Sequence, residues 1–406
     1  MTRRVAVTGL GALAAPGQDV ASLWAALCAG TSGIAHHAEQ GWPQARVSGF
    51  VPAAHFSDRE LPMLDRVSQL ALVAARQAVT QAGLADVRGN ARLEAHDIDP
   101  LRAGAIFGAG LGHHTLDDGY FSFYGLQAKR LHPFLVPRGM PSAPASQLSL
   151  AHGLQGPTLA TATACASSAH AIGLAFQFIR AGLLDLAITG GAEASLVHGM
   201  VKAWEGLRVL SSDTCRPFSK DRSGLVLGEG AGALVLEEWN QALRRGARPL
   251  AEIVGFGMGA DAADITAPDP AGAARAMHAA LADAGLAPAA VGYVNAHGTG
   301  TRLNDRCETA ALVRVFGPRL ARLPVSSCKG QLGHTLNAGG ALEALATVLA
   351  LRDGLLPPTA NFREPDPECA LDCVPGQARA QAVEVAMSNS FAFGGLNAVL
   401  VLRRAH

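Results

Sequence analysis

Several things are scarce in this chain, and each scarcity closes a door. Its seven cysteines, at positions 28, 165, 215, 307, 328, 369 and 373 of 406 residues, are odd in number and share no paired spacing. That pattern excludes a disulfide scaffold and fits reduced thiols in a cytosolic protein. Cys369 and Cys373 have no second pair and no histidine beside them, so no metal site is read there. Net charge is also missing: 33 Lys and Arg offset 33 Asp and Glu. A general attraction to nucleic acid or to an anionic membrane is thereby excluded, and an acidic partner would have to meet a local basic patch. No window offers the roughly eighteen uninterrupted apolar residues of a membrane span, and the chain reads as soluble. Aromatic residues make up only 5% of the chain, yet Phe121, Phe123, Tyr124 and Phe134 crowd into residues 120–137 beside Lys129 and Arg130. Such a cluster reads as an apolar pocket wall, as a subunit interface with a basic rim, or as ordinary core packing.

What the chain has in quantity is small residues and alternating periods. The opening residues carry two arginines before an apolar run and are read as a first strand over 4–8, which Gly9 and Gly11 interrupt, rather than as a leader. Gly9-Leu10-Gly11-Ala12-Leu13-Ala14 matches a dinucleotide fingerprint in letters. The fingerprint needs a helix opening at the glycines and an acidic residue ending a second strand, and Pro16, Gly17 and residues 36–40 supply neither; a tight turn at a sheet edge is the better reading. Residues 63–82 repeat Val67, Leu70, Ala71, Ala74 and Ala78 at helical spacing and close on Gly83. Residues 104–112 read as a glycine-rich strand. From Ala251 the chain begins again, with strands expected over 251–257, 291–296 and 325–327, helices over 270–284, 304–315 and 336–352, and a closing strand pair over 383–389 and 398–402. Alternation of this kind predicts an α/β fold, and the similar order of the two stretches hints at an internal duplication split into residues 1–250 and 251–406.

The chemistry-bearing residues stand where strands should end. In residues 161–191, Cys165 sits among Ala162, Ala164 and Ala166 ahead of a helix with Ala169, Ile172, Ala175, Phe176 and Ile179 on its apolar face. A thiol at a helix start meets unpaired N–H groups and the positive dipole end, so its pKa should fall; the alternative is a small buried hydrophobe. His297 lies in Asn295-Ala296-His297-Gly298-Thr299-Gly300-Thr301, while Lys329 and His334 lie in Lys329-Gly330-Gln331-Leu332-Gly333-His334, with Glu343 on the helix that follows. A lone histidine at a strand end is usually structural, but two of them, glycine-flanked, alongside a helix-start cysteine point to catalysis. The loop Phe391-Ala392-Phe393-Gly394-Gly395-Leu396-Asn397 would either cradle an oxyanion with its N–H groups or make a hairpin turn.

Taken together, the Cys165, His297, Lys329–His334 and Phe391–Asn397 motifs resemble the active-site motifs of the β-ketoacyl-acyl carrier protein synthases, close to the elongating synthase II type, across almost the whole chain. The resemblance implies the thiolase fold, two βαβαβαββ halves in a five-layered αβαβα sandwich, and normally a homodimer. It implies decarboxylative condensation of an acyl group held on Cys165 with a malonyl group on acyl carrier protein, without a cofactor. By the same resemblance His297 and His334 donate to the enolate oxygen, Lys329 and Glu343 hold His334, and the N–H groups of Cys165 and Phe393 bind the acyl oxyanion. Thr299, Thr301 and Thr266 would bond the phosphopantetheine arm, Phe393 would gate the acyl pocket, and Leu111 and Trp204 would shape its wall. Asp305 and Glu308 would be structural. A basic entrance for the acidic carrier would draw on Lys129, Arg130, Arg138, Arg208 and Arg66, although surface lysines and arginines are commonly just solvated.

Departures touch the substrate rather than the reaction. Pro62 and Met63 stand where the family has basic residues, His113 and His114 where it has small or aliphatic ones, and Ala166-Ser167-Ser168 follows the cysteine in place of Thr-Ser-Gly. These push towards a specialised polyketide or polyene pathway over housekeeping fatty-acid elongation. Acyl length, starter and homodimer against heterodimer stay open. A non-catalytic chain-length factor, the rival in another class, lacks the nucleophile; a degradative thiolase would need a second cysteine in place of the two histidine motifs.

Overall fold

Two glycine pairs decide how closely the layers of this molecule approach. In the computed structural model, which describes residues 3–37, 41–86 and 88–406, the first strand β1 runs Val5–Ala14 straight through Gly9 and Gly11. A Cβ at either glycine would run into the backbone carbonyl of Ala78 or Ala74 on helix α1, Arg66–Gln81. The Gly-x-Gly letters thus serve close helix-on-strand packing, not a turn and not a nucleotide. Of residues 36–40, where a strand-ending acid would be required, 38–40 lie outside the described residues.

The chain continues as β2 (Ala103–Ala109), α2 (Ala143–His152), β3 (Thr158–Thr161), α3 (Ser167–Arg180), β4 (Leu186–Glu193) and β5 (Gly230–Glu238). The second half repeats the plan with β6 (Ala251–Ala260), α4 (Pro270–Ala284), β7 (Tyr293–Asn295), α5 (Arg302–Phe316), β8 (Val325–Ser326), α6 (Gly339–Asp353), β9 (Val385–Ala392) and β10 (Leu396–Arg404). Strand order is β3-β2-β4-β5-β1 in the first half and β8-β7-β9-β10-β6 in the second, the same arrangement twice. An antiparallel seam, Val5–Val7 against Ala251–Ile253, joins them into one 10-stranded sheet. The glycine device recurs as well: Gly255 and Gly257 on β6 admit the carbonyls of Ala280 and Ala276 on α4. Duplication, hinted at by the order of motifs, is written in the topology.

Helices α1 and α2 cover the outer face of the first half-sheet, α4 and α5 that of the second, and α3 and α6 lie between the two, giving the five layers the motifs implied. An inner helix meets a sheet on each side, so it is apolar all round; every residue from Gly339 to Leu351 of α6 is buried. The first turns of α3 and α6 abut, with the Ala341 N–H donating to Ser168 Oγ at 2.9 Å. Two positive dipole ends therefore meet at one place.

The aromatic segment 120–137 turns outward. Phe121 is 63% exposed and Tyr124 71%, which removes ordinary core packing from the readings of that cluster. No helix among the described residues is long and apolar enough to cross a membrane.

Replacing Gly11 or Gly257 by alanine forces backbone apart from backbone, which a flexible side chain cannot relieve. Each is expected to lower stability by about 1–3 kcal/mol or more, read as a lower urea midpoint at unchanged m-value.

Candidate active site

The nucleophile candidate stands on a strained turn. β3 ends at Thr161, and Ala164–Ala166 form one 3₁₀ turn leading into α3, with Ala164 forced to a φ of 48°. A non-glycine residue in that left-handed region costs of order 1–3 kcal/mol and persists where surroundings over-determine it. Here they do: Ser167 Oγ lies 2.6 Å from the Ala164 carbonyl and accepts from the Thr163 N–H at 2.9 Å. The result points the Cys165 side chain into a cavity of about 110 Å³ lined also by His297, His334, Thr299, Thr301, Thr266, Trp204, Phe391 and Phe393.

The two imidazoles enter from the second half. His297 follows β7, and His334 precedes the 3₁₀ turn Leu336–Ala338 before α6, so Cys165 lies within the turn of the first half and His334 two residues ahead of the matching turn of the second. His334 Nε2 is 3.1 Å from Cys165 Sγ, and the two imidazole rings are edge-on with centroids 5.4 Å apart. Burial, with Lys329 adding to it, holds both histidines well below the usual imidazole range, so both are neutral. Their Nδ1 atoms are acceptors: His334 Nδ1 takes the Leu336 N–H at 3.3 Å, and His297 Nδ1 faces the Lys329 ammonium at 3.3 Å. The hydrogen-bond pattern therefore assigns the proton of each ring to Nε2. The cavity presents two neutral N–H donors.

Lys329 places its hydrogen bonds on His297 rather than on His334, which the motifs implied it would hold, while its charge still lowers His334. Its ammonium bonds the His297 carbonyl at 2.6 Å and pairs with Glu343, all of it buried. The backbone of Leu336, held at a φ of 44°, fixes His334 instead. Burial lifts Glu343 to about 6, with Lys329 pulling the other way, so the pair is charged at neutral pH. Removing one partner of such a pair costs on the order of 3–5 kcal/mol. Glu308 accepts the N–H groups of His297 at 2.9 Å and Gly298 at 2.8 Å, and Asp305 those of Phe218 and Gly300; both shape the loop behind His297.

The thiol departs from expectation. Burial pushes Cys165 up to about 12, outweighing Lys329, and the carboxylates of Glu193 and Glu343 add to the rise. Sequence spacing finds the helix start but not the dryness of the place where the thiol ends.

The remaining expected residues divide. Trp204 stacks on Phe393 with ring centroids 5.9 Å apart and planes at 22°, which puts both on the cavity wall. Thr299 and Thr301 share a hydroxyl bond of 2.8 Å, and Thr266 Oγ1 is bonded to Asp264 at 3.1 Å. Gly394 and Asn397 serve the loop rather than a ligand: the Gly394 N–H donates to the Ile265 carbonyl at 2.7 Å, and Asn397 Nδ2 to Asp261 at 2.7 Å. Leu111 is 43% exposed and stands off the cavity lining. Arg66 is committed to a bidentate pair with Glu229 at 2.8 and 2.7 Å and is not an open carrier contact. Arg130 and Arg138 line a small cleft with Asp118, Lys129 is exposed, and Arg208 is exposed beside Val209 of the cavity wall. Spacing did not single out Ser167, Leu336 or Asn337; their part depends on contacts between halves.

The family model described as β-ketoacyl synthase, N-terminal domain, matches residues 2–242, and that described as the C-terminal domain matches residues 250–363. The chain is 45% identical over 411 residues to nodulation protein E of Rhizobium sp. (strain N33), covering 100% of both. It is 39% identical over 422 residues to 3-oxoacyl-[acyl-carrier-protein] synthase 2 of Staphylococcus aureus (strain N315), covering 99% of this chain and 98% of the other. Among solved structures, the ishigamide ketosynthase/chain length factor superposes with a TM-score of 0.92 at 35% identity, with 100% of each chain covered.

A thiol held up by burial gains thiolate steadily with alkalinity. Alkylation of Cys165 by iodoacetamide, followed by mass spectrometry of its peptide, should therefore accelerate about tenfold per pH unit between roughly pH 7 and 10 without a plateau; a plateau below about pH 8 would show a depressed pKa instead.

Proposed function

The chain belongs to the β-ketoacyl synthase family, and from that premise we propose how its cavity carries out the family's condensation, with roles for individual residues. The enzyme joins an acyl group to a malonyl-acyl carrier protein, releasing carbon dioxide and 3-oxoacyl-acyl carrier protein. One observation carries the assignment: Cys165 Sγ lies 3.1 Å from a neutral imidazole, with a second neutral imidazole edge-on to the first.

In the first step the Cys165 sulfur attacks the acyl thioester. A new S–C bond forms, the carrier's S–C bond breaks, and the thiol proton ends on the departing pantetheine sulfur. With His334 Nε2 already protonated, that imidazole donates to the sulfur side rather than taking the proton. Backbone N–H groups of Cys165 and Phe393 receive the transient oxyanion. In the second step the malonyl C–C bond breaks, carbon dioxide leaves, and the electron pair spreads to the thioester oxygen, where the Nε2–H groups of His297 and His334 hold it. The carbanion then attacks the acyl carbon, and the Cys165 sulfur leaves and regains a proton. Thr266, Thr299 and Thr301 line the route of the pantetheine arm.

The carrier docks at the mouth beside Arg208, Lys129 and Arg130, which stay exposed. Two copies associate through the open edge strand β3, where Leu159 is 43% exposed, and through the outward aromatics of residues 120–137. A related subunit could take the second place, as in the pairing with a chain length factor that one structural neighbour is named for. Free thiols throughout and the absence of a spanning helix among the described residues support a cytoplasmic setting, in fatty acid or polyketide biosynthesis.

Purified protein mixed with malonyl-carrier protein and a panel of acyl-carrier proteins should yield products longer by two carbons, read by mass. Cys165→Ala should abolish condensation, while His297→Ala and His334→Ala should each cut decarboxylation by about 10²–10³-fold; unimpaired decarboxylation in both would overturn the donor roles. Because Trp204 stacks on the Phe393 gate, Trp204→Phe should shift the preferred acyl length in the same panel, and an unchanged profile would remove it from the acyl wall.

A further inference from the structure

One polar chain beneath the site, with Ser167 and Glu193 buried and Asn337 half-buried, has no part in the steps above. Asn337 lies in the turn after His334, one residue beyond the Leu336 whose N–H holds the imidazole. Its Nδ2 donates to the Glu193 carboxylate at the end of β4, and its Oδ1 accepts from Ser167 Oγ at 2.7 Å. Ser167 is fully buried and opens α3; with its one proton given to Asn337, it braces the Ala164 turn on the other side by accepting the Thr163 N–H at 2.9 Å. Glu193 is buried and further tied by the Ala194 N–H at 3.0 Å. Bare backbone makes room for the arrangement: a Cβ at Gly110 would stand 2.7 Å from Asn337 Nδ2, and one at Gly191 2.5 Å from the Asn337 carbonyl oxygen.

We propose that Asn337 and Ser167 are positioning residues for the condensation, a polar brace that couples the strained turn carrying Cys165 to the strained turn carrying His334. Each turn belongs to a different half of the fold, and each contains a residue with positive φ, Ala164 at 48° and Leu336 at 44°. Left to itself, each would relax by rotating its backbone, carrying its side chain away from the shared cavity. The Ser167–Asn337 bond crosses between them close to both, and Glu193 anchors the amide so that it faces the hydroxyl. The separation between sulfur and Nε2 is thus set by this crossing as much as by the half-sheets. Displacement of about 1 Å from reactive geometry costs on the order of 10²-fold in rate.

The proposal rests on the condensing role of Cys165, so its test has one arm that needs no condensation. Ser167→Ala, Asn337→Gly, the double variant and Ser167→Thr are compared with the parent. Acyl-enzyme formation, by mass after rapid quenching, should slow by about 10–100-fold in each of the first two, with KM for the acyl-carrier protein within about twofold. The double variant should be no more than about threefold slower than the slower single, because both act through one bond. Ser167→Thr, which keeps the hydroxyl, should recover most of the rate. Acylation within about threefold of the parent, losses that multiply in the double, or losses that only follow a lower folded fraction by circular dichroism would overturn the proposal. In the second arm, iodoacetamide should label Cys165 about tenfold faster in both single variants, as the sulfur swings out of its buried seat beside His334. Faster labelling in the variants of a parent that condenses nothing would leave the brace standing and refute the enzymatic role; labelling that is unchanged or slower would refute the brace alone.

Discussion

The pairing of Lys329 with Glu343 is the constraint on which the site depends. An ammonium in so dry a place is tolerable only beside its carboxylate, and once there it has donors to spare. Those donors go to the carbonyl and the Nδ1 of His297, which fixes both the ring and its proton. The same positive charge helps keep His334 unprotonated. Burial first, and this charged pair second, keep both imidazoles neutral, so that two hydrogen-bond donors face the cavity although the pair itself contributes no reacting atom.

The duplicated fold explains why the parts meet. In each half the edge strand, β3 or β8, delivers its end residues towards the middle layer, and the helices that follow come together at their N-termini. One half places a sulfur within its turn at this junction, and the other an imidazole just ahead of the matching turn. A second imidazole arrives from the neighbouring strand β7.

Much of this was legible in the amino-acid order, and what was not has physical causes. Helical spacing placed α4 and the buried inner helices, because period and burial are local signals. The end of β1 was misjudged because Gly9 and Gly11 interrupt a strand by propensity, whereas packing against Ala74 and Ala78 demands them. The motifs around Cys165, His297 and His334 stood out from their small neighbours. The partner of Lys329, the grip of Leu336 on His334 and the role of Asn337 could not be read, since each is a contact between segments whose approach only the folded chain defines. The thiol pKa failed for a related reason: a helix terminus is visible in sequence, while the exclusion of water from it is a sum over both halves.

The wall around Cys165 has a further consequence for what enters. Among the residues lining it, only Asp264 carries a formal charge, and that charge is negative. A carboxylate drawn into such surroundings surrenders its hydration and finds no cation in exchange, the buried ammonium behind His297 being already neutralised. Loss of carbon dioxide removes that carboxylate, and in the roles proposed for His297 and His334 the negative charge left behind passes to an oxygen facing two donors. The composition of the lining therefore favours bond cleavage over mere retention of the extender unit.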